Sequence, residues 1–300
     1  MNKLREIECF IAVAELGSFV KAADALNVSK AAVSRTILEL EARLGARLMQ
    51  RTTRRLSLTE AGSLYLERCK HIVSALEDAD QMLTVGNTDP TGLLRINVPQ
   101  TFGVLHLVNV WPCLLRRYPG IKLDITLSDR IVDIIEEGYD LAIRIARLPN
   151  SSLIYRKLAS TRIVVCASPE YLEKHGTPQH PDDLKDHMVM GYSYSADKDE
   201  WHFEGPEGAV SVKTNVRMHA NNGDTCVAAA LAGIGITRQP TFMLSEHIRS
   251  GKLVPIMPGY MSAELGIYAV YPSRTHLPAK VRATIDFLVH AFEEVQWEDK

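Results

Sequence analysis

Cysteine, long apolar runs and catalytic signatures are all scarce in this sequence, and each scarcity excludes something. The five cysteines, Cys9, Cys69, Cys113, Cys166 and Cys226, are odd in number, far apart and without a Cys-x-x-Cys pair. Neither a disulfide framework nor a zinc ribbon is expected, and the thiols read as reduced and mostly buried. No apolar run approaches the ~18–20 residues of a membrane helix. The amino terminus, MNKLREIECF, carries acids where a signal peptide would carry its apolar core, so a cytoplasmic protein is expected. His175, His180 and His187 come nearest to a histidine cluster but sit in a Pro-rich, loop-like stretch, and no metal or cofactor is expected. There is no P-loop and no His-Glu-x-x-His. Gly233-Ile234-Gly235 follows a helical stretch and runs into Arg238, unlike a dinucleotide fingerprint. The stretch GYSYS (191–195) lacks the second glycine of a nucleophile elbow. An enzyme is not expected.

What is present is a chain of 300 residues, 46% apolar and 23% charged, long enough for two or more domains. Its net charge of −2 hides an asymmetry: residues 1–58 hold ten Lys/Arg against six Asp/Glu, which leaves the remainder acidic. Arg43, Arg47, Arg51, Arg54 and Arg55 fall within one stretch free of acids. A basic module on an acidic body suggests a polyanion partner for that module alone.

The spacing of Leu4, Ile7, Phe10, Ile11 and Ala14 predicts a first helix ending near Gly17. Ser18 can cap a second, short helix that Asn27 breaks. Ser29 can cap a third, with Val33, Ile37, Leu40 and Leu44 on one stripe and Gly45 at its end. Two helices joined by a turn of about three residues follow helix-turn-helix grammar, placed here at roughly 18–38. The opposite face of the third helix offers Ala31, Ser34 and Arg35, with Lys30 on its first turn, a surface suited to a major groove, and Ser18 and Ser29 at the two helix starts are expected DNA contacts as well. LMQRTTRRLSLT then reads as a β-wing whose Arg51, Thr52, Thr53, Arg54 and Arg55 would lie along phosphates. Arg43 and Arg47 could instead serve ion pairs with Glu39 or Glu41. Thr59 caps a long helix to about Val85, on which Tyr65, Cys69, Ile72, Leu76, Ala79 and Leu83 recur at heptad intervals, a predicted dimer seam.

These pieces resemble the N-terminal domain of LysR-type transcriptional regulators. The motifs that carry the resemblance are Ala14-Glu15-x-Gly17-Ser18-Phe19, Ala22-Ala23-x-x-Leu26, Ala32-Val33-Ser34-Arg35, Leu40-Glu41-x-x-Leu44-Gly45, Arg51-Thr52-Thr53-Arg54 and Leu58-Thr59-x-x-Gly62. Lys30 stands where the family usually has glutamine, and Met49 where it often has phenylalanine.

After Pro90, short apolar strands alternate with helices, which argues for an α/β architecture with mostly parallel sheets. Strands are expected at LLRINV, KLDITL, YDLAIRI, RIVVCA, VRMHA and LGIYAVY. Helices are expected at 104–118, 131–138, 169–176, 224–233 and 279–296. The resemblance extends through this part as a two-lobed, periplasmic-binding-protein-like effector domain over 91–300, beyond a linker at 59–90. It implies one lobe of 91–161 and 265–300, another of 162–264, and crossovers near Ser160–Arg162 and Ala263–Gly266.

A ligand in such a fold sits between the lobes, at strand carboxyl ends. The positions that fall there are Gln100, Thr101, Phe102, Ser128, Arg144, Arg147, Tyr194 and Asn222. Arg144, inside the apolar run DLAIRIA, needs either an acid such as Asp140 or Asp129 or an anionic ligand. With Arg147 and Thr101 it could cradle a carboxylate, so a small organic anion is the expected effector. The expected partners are double-stranded DNA, that effector and a second copy of the chain, with dimer or tetramer left open. A transport-type solute-binding protein, the rival suggested by the C-terminal pattern, would have no use for the basic module.

Overall fold

A computed structural model describes residues 3–51, 56–83, 89–147, 154–195, 197–261, 263–272, 277–293 and 297. The chain forms two compact units, residues 1–88 and 89–300.

The first unit holds helices α1 (Lys3–Leu16), α2 (Phe19–Ala25) and α3 (Lys30–Leu44), strands β1 (Met49–Arg51) and β2 (Leu56–Leu58), and helix α4 (Glu60–Leu83). Local chemistry sets its punctuation. The Ser18 hydroxyl accepts from the Lys21 N–H at 3.4 Å, Ser29 from Ala32 at 3.1 Å and Thr59 from Gly62 at 2.9 Å, each satisfying a donor that a helix start leaves over. Asn27 takes φ 53° to end α2, and Gly45 takes φ 65° to end α3. Gly62 is required for a different reason: a Cβ there would lie 1.9 Å from the Leu48 carbonyl oxygen, so α4 could not start against the base of the wing.

Phe10, Val13, Ala22, Val33, Ile37, Leu40 and Leu48 fill the core of this unit. Leu44, expected on the same stripe, is exposed. The seam assigned to α4 also needs correcting at its start. Cys69 is fully buried among these core residues and the Tyr65 ring packs on Phe10 at 5.5 Å. The first turns of α4 lie against α1, so those two positions face the chain's own core. Ile72 and Leu76 are exposed, as is Leu64 one residue before Tyr65. Ala79 and Leu83 lie on the helix, but their side chains are outside the described ones.

In the second unit β3 (Gly92–Val98) leads through a short helix, α5 (Gln100–Phe102), and a π-helical turn (Gly103–Leu107) into α6 (Val110–Arg117). There follow β4 (Ile121–Leu127), β5 (Leu141–Ala146), β6 (Ile154–Ala167), α7 (Pro169–His175), β7 (Met188–Tyr192), β8 (Glu200–Gly205), β9 (Gly208–Lys213) and β10 (Asn215–Ala220). The chain ends with α8 (Gly223–Leu231), β11 (Ile236–Pro240), α9 (Thr241–Arg249), β12 (Val254–Pro255), β13 (Ala263–Tyr271) and α10 (Ala279–Ala291).

The main sheet runs β10-β7-β11-β6-β13-β5-β3-β4. It is mixed rather than mostly parallel. β3 pairs in parallel with β4 and β5, and β7 with β10 and β11, but β6 and β13 run antiparallel to their neighbours. These two long strands carry the chain from one lobe to the other and back, pairing Gly266 with Ser160 and Ala263 with Ile163. β8 and β9 form a hairpin whose Trp201 and Phe203 point into the second lobe's core.

The helix expected over 131–138 is absent; the segment is a run of turns. Asp133 Oδ1 accepts from the N–H groups of both Ile135 and Glu136 at 2.9 Å, a side-chain turn that competes with helix, and Ile131 and Ile135 remain exposed. Among the described residues no helix is long and apolar enough to cross a membrane.

Candidate nucleic-acid interface and effector cleft

On α3 the buried stripe leaves Lys30, Ala31 and Arg35 exposed, Ser34 half-buried and Leu38 exposed one turn further on. Neither Lys30 nor Arg35 has a hydrogen-bond or ion-pair partner among the described residues. Two cations, a small apolar side chain and a hydroxyl thus share the first two turns, where the helix end itself favours phosphate. The Ser18 and Ser29 oxygens are occupied as caps, and only their O–H groups remain to donate.

Behind this face the basic stretch divides. Arg43 reaches neither Glu39 nor Glu41: its Nη2 lies 2.6 Å and its Nε 3.0 Å from Glu6 Oε2, and Glu6 is 3% exposed. Arg43 is therefore structural. Glu41 accepts from the backbone N–H groups of Leu48 and Met49 at 2.7 and 3.0 Å, fixing the entry to the wing. Arg47 is exposed. Arg51 ends β1 with its side chain outside the described ones, and Thr52, Thr53, Arg54 and Arg55 lie outside the described residues.

In the second unit the residues expected around the cleft separate into three groups. Phe102 is core: fully buried, its ring lies 5.3–6.2 Å from those of His106, Phe242, Phe292 and Trp297. Burial pushes the pKa of the neighbouring His106 down, and its Nε2 lies 3.1 Å from the Phe242 carbonyl oxygen. Arg144 pairs with neither Asp140 nor Asp129. Its Nη1 donates to Asn97 Oδ1 at 2.6 Å and to the Ile143 carbonyl at 3.0 Å, and burial pushes its pKa down. Its Nη2 and Asn97 Nδ2 have no partners among the described residues. Arg147 is exposed beyond the strand end.

The third group lies where the lobes meet. The Thr101 hydroxyl of the first lobe donates to Asp224 Oδ2 on α8 of the second, at 2.7 Å. Asp129 of the first lobe, whose Oδ1 accepts from the Gln100 N–H at 2.8 Å, lies near enough to Tyr192 of the second that its charge helps burial to raise the Tyr192 hydroxyl's pKa. Burial pushes the Asp129 carboxyl above the usual carboxylate range, and the Asp224 charge adds to this. The carboxylate cradle expected at Thr101 is therefore not assembled: the protein's own acids already occupy the Thr101 hydroxyl and the Gln100 N–H. Ser128 accepts from the Arg130 N–H, Tyr194 is exposed against the Tyr192 ring, and Asn222 caps α8 through Oδ1. Sequence spacing does not reveal Tyr192 or Asp224, and offers Asp129 only as an acid for Arg144, because the contacts that bring these residues together span tens of residues and leave no local pattern.

The helix-turn-helix signature described as "Bacterial regulatory helix-turn-helix protein, lysR family" matches residues 4–63, and the LysR substrate binding domain matches residues 87–293. The chain belongs to the LysR family. An HTH-type transcriptional regulator of Haemophilus influenzae is 38% identical over 94% of this chain and 98% of its own length. The transcriptional activator AaeR of Escherichia coli is 34% identical over 98% of this chain and 96% of its own. The solved structure of CrgA, a LysR-type transcriptional regulator from Neisseria meningitidis, superposes with a TM-score of 0.61 at 33% identity, covering 96% of this chain and 98% of that one. This LysR-type regulator accordingly has a helix-turn-helix DNA-binding domain and a two-lobed effector-binding domain, and it is a transcriptional regulator rather than an enzyme. Among its described residues no group of three His, Cys, Asp or Glu is placed to hold a metal ion.

Proposed function

We propose that this LysR-type regulator reads duplex DNA with the first two turns of α3, where Arg35 and Ser34 contact base edges and Lys30 a phosphate or base edge. The observation that carries this reading is the exposed, unpaired Arg35 on the face opposite Val33, Ile37 and Leu40. The wing, Arg51 to Arg55, contacts backbone phosphates and adds affinity without sequence preference. Two copies pair along α4 through Ile72 and Leu76, which the core leaves exposed, continuing towards Ala79 and Leu83. A small effector binds between the lobes, in the cytoplasm, and shifts DNA binding through its different affinity for the open and closed cleft.

Arg35→Ala tests the first part. Binding to the preferred site should weaken by about 1–3 kcal/mol, with preference relaxed at one base position, while binding to random DNA changes little. Equal loss on specific and random DNA would show that Arg35 contacts phosphate alone.

A further inference from the structure

The chemistry of the ligand follows from unmet needs in the cleft, and the inference rests on that cleft being the effector site. Asp129, in the loop after β4, and Asp224, on the first turn of α8, meet at two successive residues: Asp129 Oδ1 accepts from the Gln100 N–H at 2.8 Å and Asp224 Oδ2 from the Thr101 hydroxyl at 2.7 Å. Each is bonded only to neutral donors, and neither has an ion-pair partner among the described residues. Two carboxylates so placed gain more from a shared cation than from hydroxyls, because charge-assisted hydrogen bonds are the stronger kind and the cation relieves their repulsion.

Beside Asp224 the need is the opposite. Gln239 is 3% exposed, yet its Nε2 has no partner among the described residues. Its amide lies against the start of α8, since a Cβ on Gly223 would come within 3.1 Å of Oε1. Asn222 spends Oδ1 on capping the helix, and its Nδ2 likewise has no partner among the described residues. Buried donors left unmet are costly, and both call for an acceptor at a helix end that already favours negative charge.

We propose that the cleft binds a small zwitterion of the α-amino-acid class, its ammonium between Asp129 and Asp224 and its carboxylate on the amides of Gln239 and Asn222. The ammonium displaces the Thr101 hydroxyl from Asp224. Binding therefore exchanges a bond that joins the lobes in the free protein for bonds through the ligand.

The test is a thermal-shift titration of the full-length chain with each common L-amino acid, and with the matched amine and matched carboxylic acid of any that bind. At least one amino acid should raise the midpoint saturably. Its amine and acid should bind at least tenfold more weakly, and Asp224→Asn and Gln239→Leu should each weaken it at least tenfold. No saturable amino acid, or an acid as tight as its amino acid, overturns the proposal. If such an acid is still lost on Asp224→Asn, the cleft survives as the effector site and only the zwitterion falls. An amino acid that binds every variant like wild type sits elsewhere, which overturns both.

Discussion

Replacing Phe102 with alanine separates a core role from a ligand contact. The ring is fully buried at the end of α5 and meets Phe242 edge-on at 5.4 Å, Phe292 at 5.5 Å and Trp297 at 6.2 Å, joining α5, α9 and the carboxyl-terminal segment. Truncating a fully buried phenylalanine costs about 3–5 kcal/mol, and the loss of several aromatic pairs favours the upper part of that range. In a unit of this size each kcal/mol moves the midpoint by about 2–4 °C, so Phe102→Ala should lower it by about 6–20 °C. The assay is selective, because all three tryptophans, Trp111, Trp201 and Trp297, lie in the 89–300 unit, and their fluorescence follows its unfolding alone. Phe102→Leu, which keeps most of the volume, should cost under about 1.5 kcal/mol. A Phe102→Ala protein that unfolds within about 1 kcal/mol of wild type, yet no longer responds to effector, would refute the core assignment and return Phe102 to the cleft.

Other consequences can be measured separately. Asp129 has a raised carboxyl pKa, so its contribution to stability is greatest when it is protonated and is lost as pH rises through the folded-state value. Asp129→Asn should therefore raise the unfolding midpoint at pH 7, with the gain shrinking as pH falls into the carboxylate range; a gain independent of pH would contradict this. Leu76→Asp should give monomers that keep their secondary structure, whereas Cys69→Asp should unfold the first unit; light scattering and circular dichroism distinguish the two, and a Leu76→Asp dimer at micromolar concentration would remove Leu76 from the seam. A thiol reagent should modify Cys113 first in the native protein. It is the exposed cysteine, while burial raises Cys226 to about 11 and Cys166 to about 12. Rapid labelling of Cys226 would mean that α8 opens readily.

What could be read from the sequence is what local chemistry decides. Ser18, Ser29, Thr59 and Gly45 mark helix ends through bonds to residues three or four away, and the expected helices of the first unit start and stop where those residues stand. The α4 seam was misjudged where it begins because heptad spacing shows which residues share a stripe but not what the stripe faces; α1 claims Tyr65 and Cys69. The apolar pattern of 131–138 is genuine, but one Asp133 side chain holds the segment in turns. β7 and β11 are short strands that take their place from each other and from β6, and β8 shows its alternation only through Trp201 and Phe203. The cleft was least legible. Thr101 meets Asp224 across 123 residues of chain, and a hydroxyl read as waiting for a ligand's carboxylate was already donating to the protein's own.

The late position of β13 has a consequence for synthesis. That strand closes the middle of the sheet by pairing with β5 and β6, so the effector-binding unit has no continuous sheet until residue 271 has left the ribosome. The first unit needs nothing beyond α4. At about 5–20 residues per second, the helix-turn-helix can be folded for some 10–40 s before the chain is finished. A chain cut short anywhere between α4 and β13 would carry a complete DNA-reading module with no cleft to govern it. Such fragments would compete for operators whatever the effector concentration, so a premature stop in this gene should behave as a dominant, signal-blind occupant rather than as a simple loss.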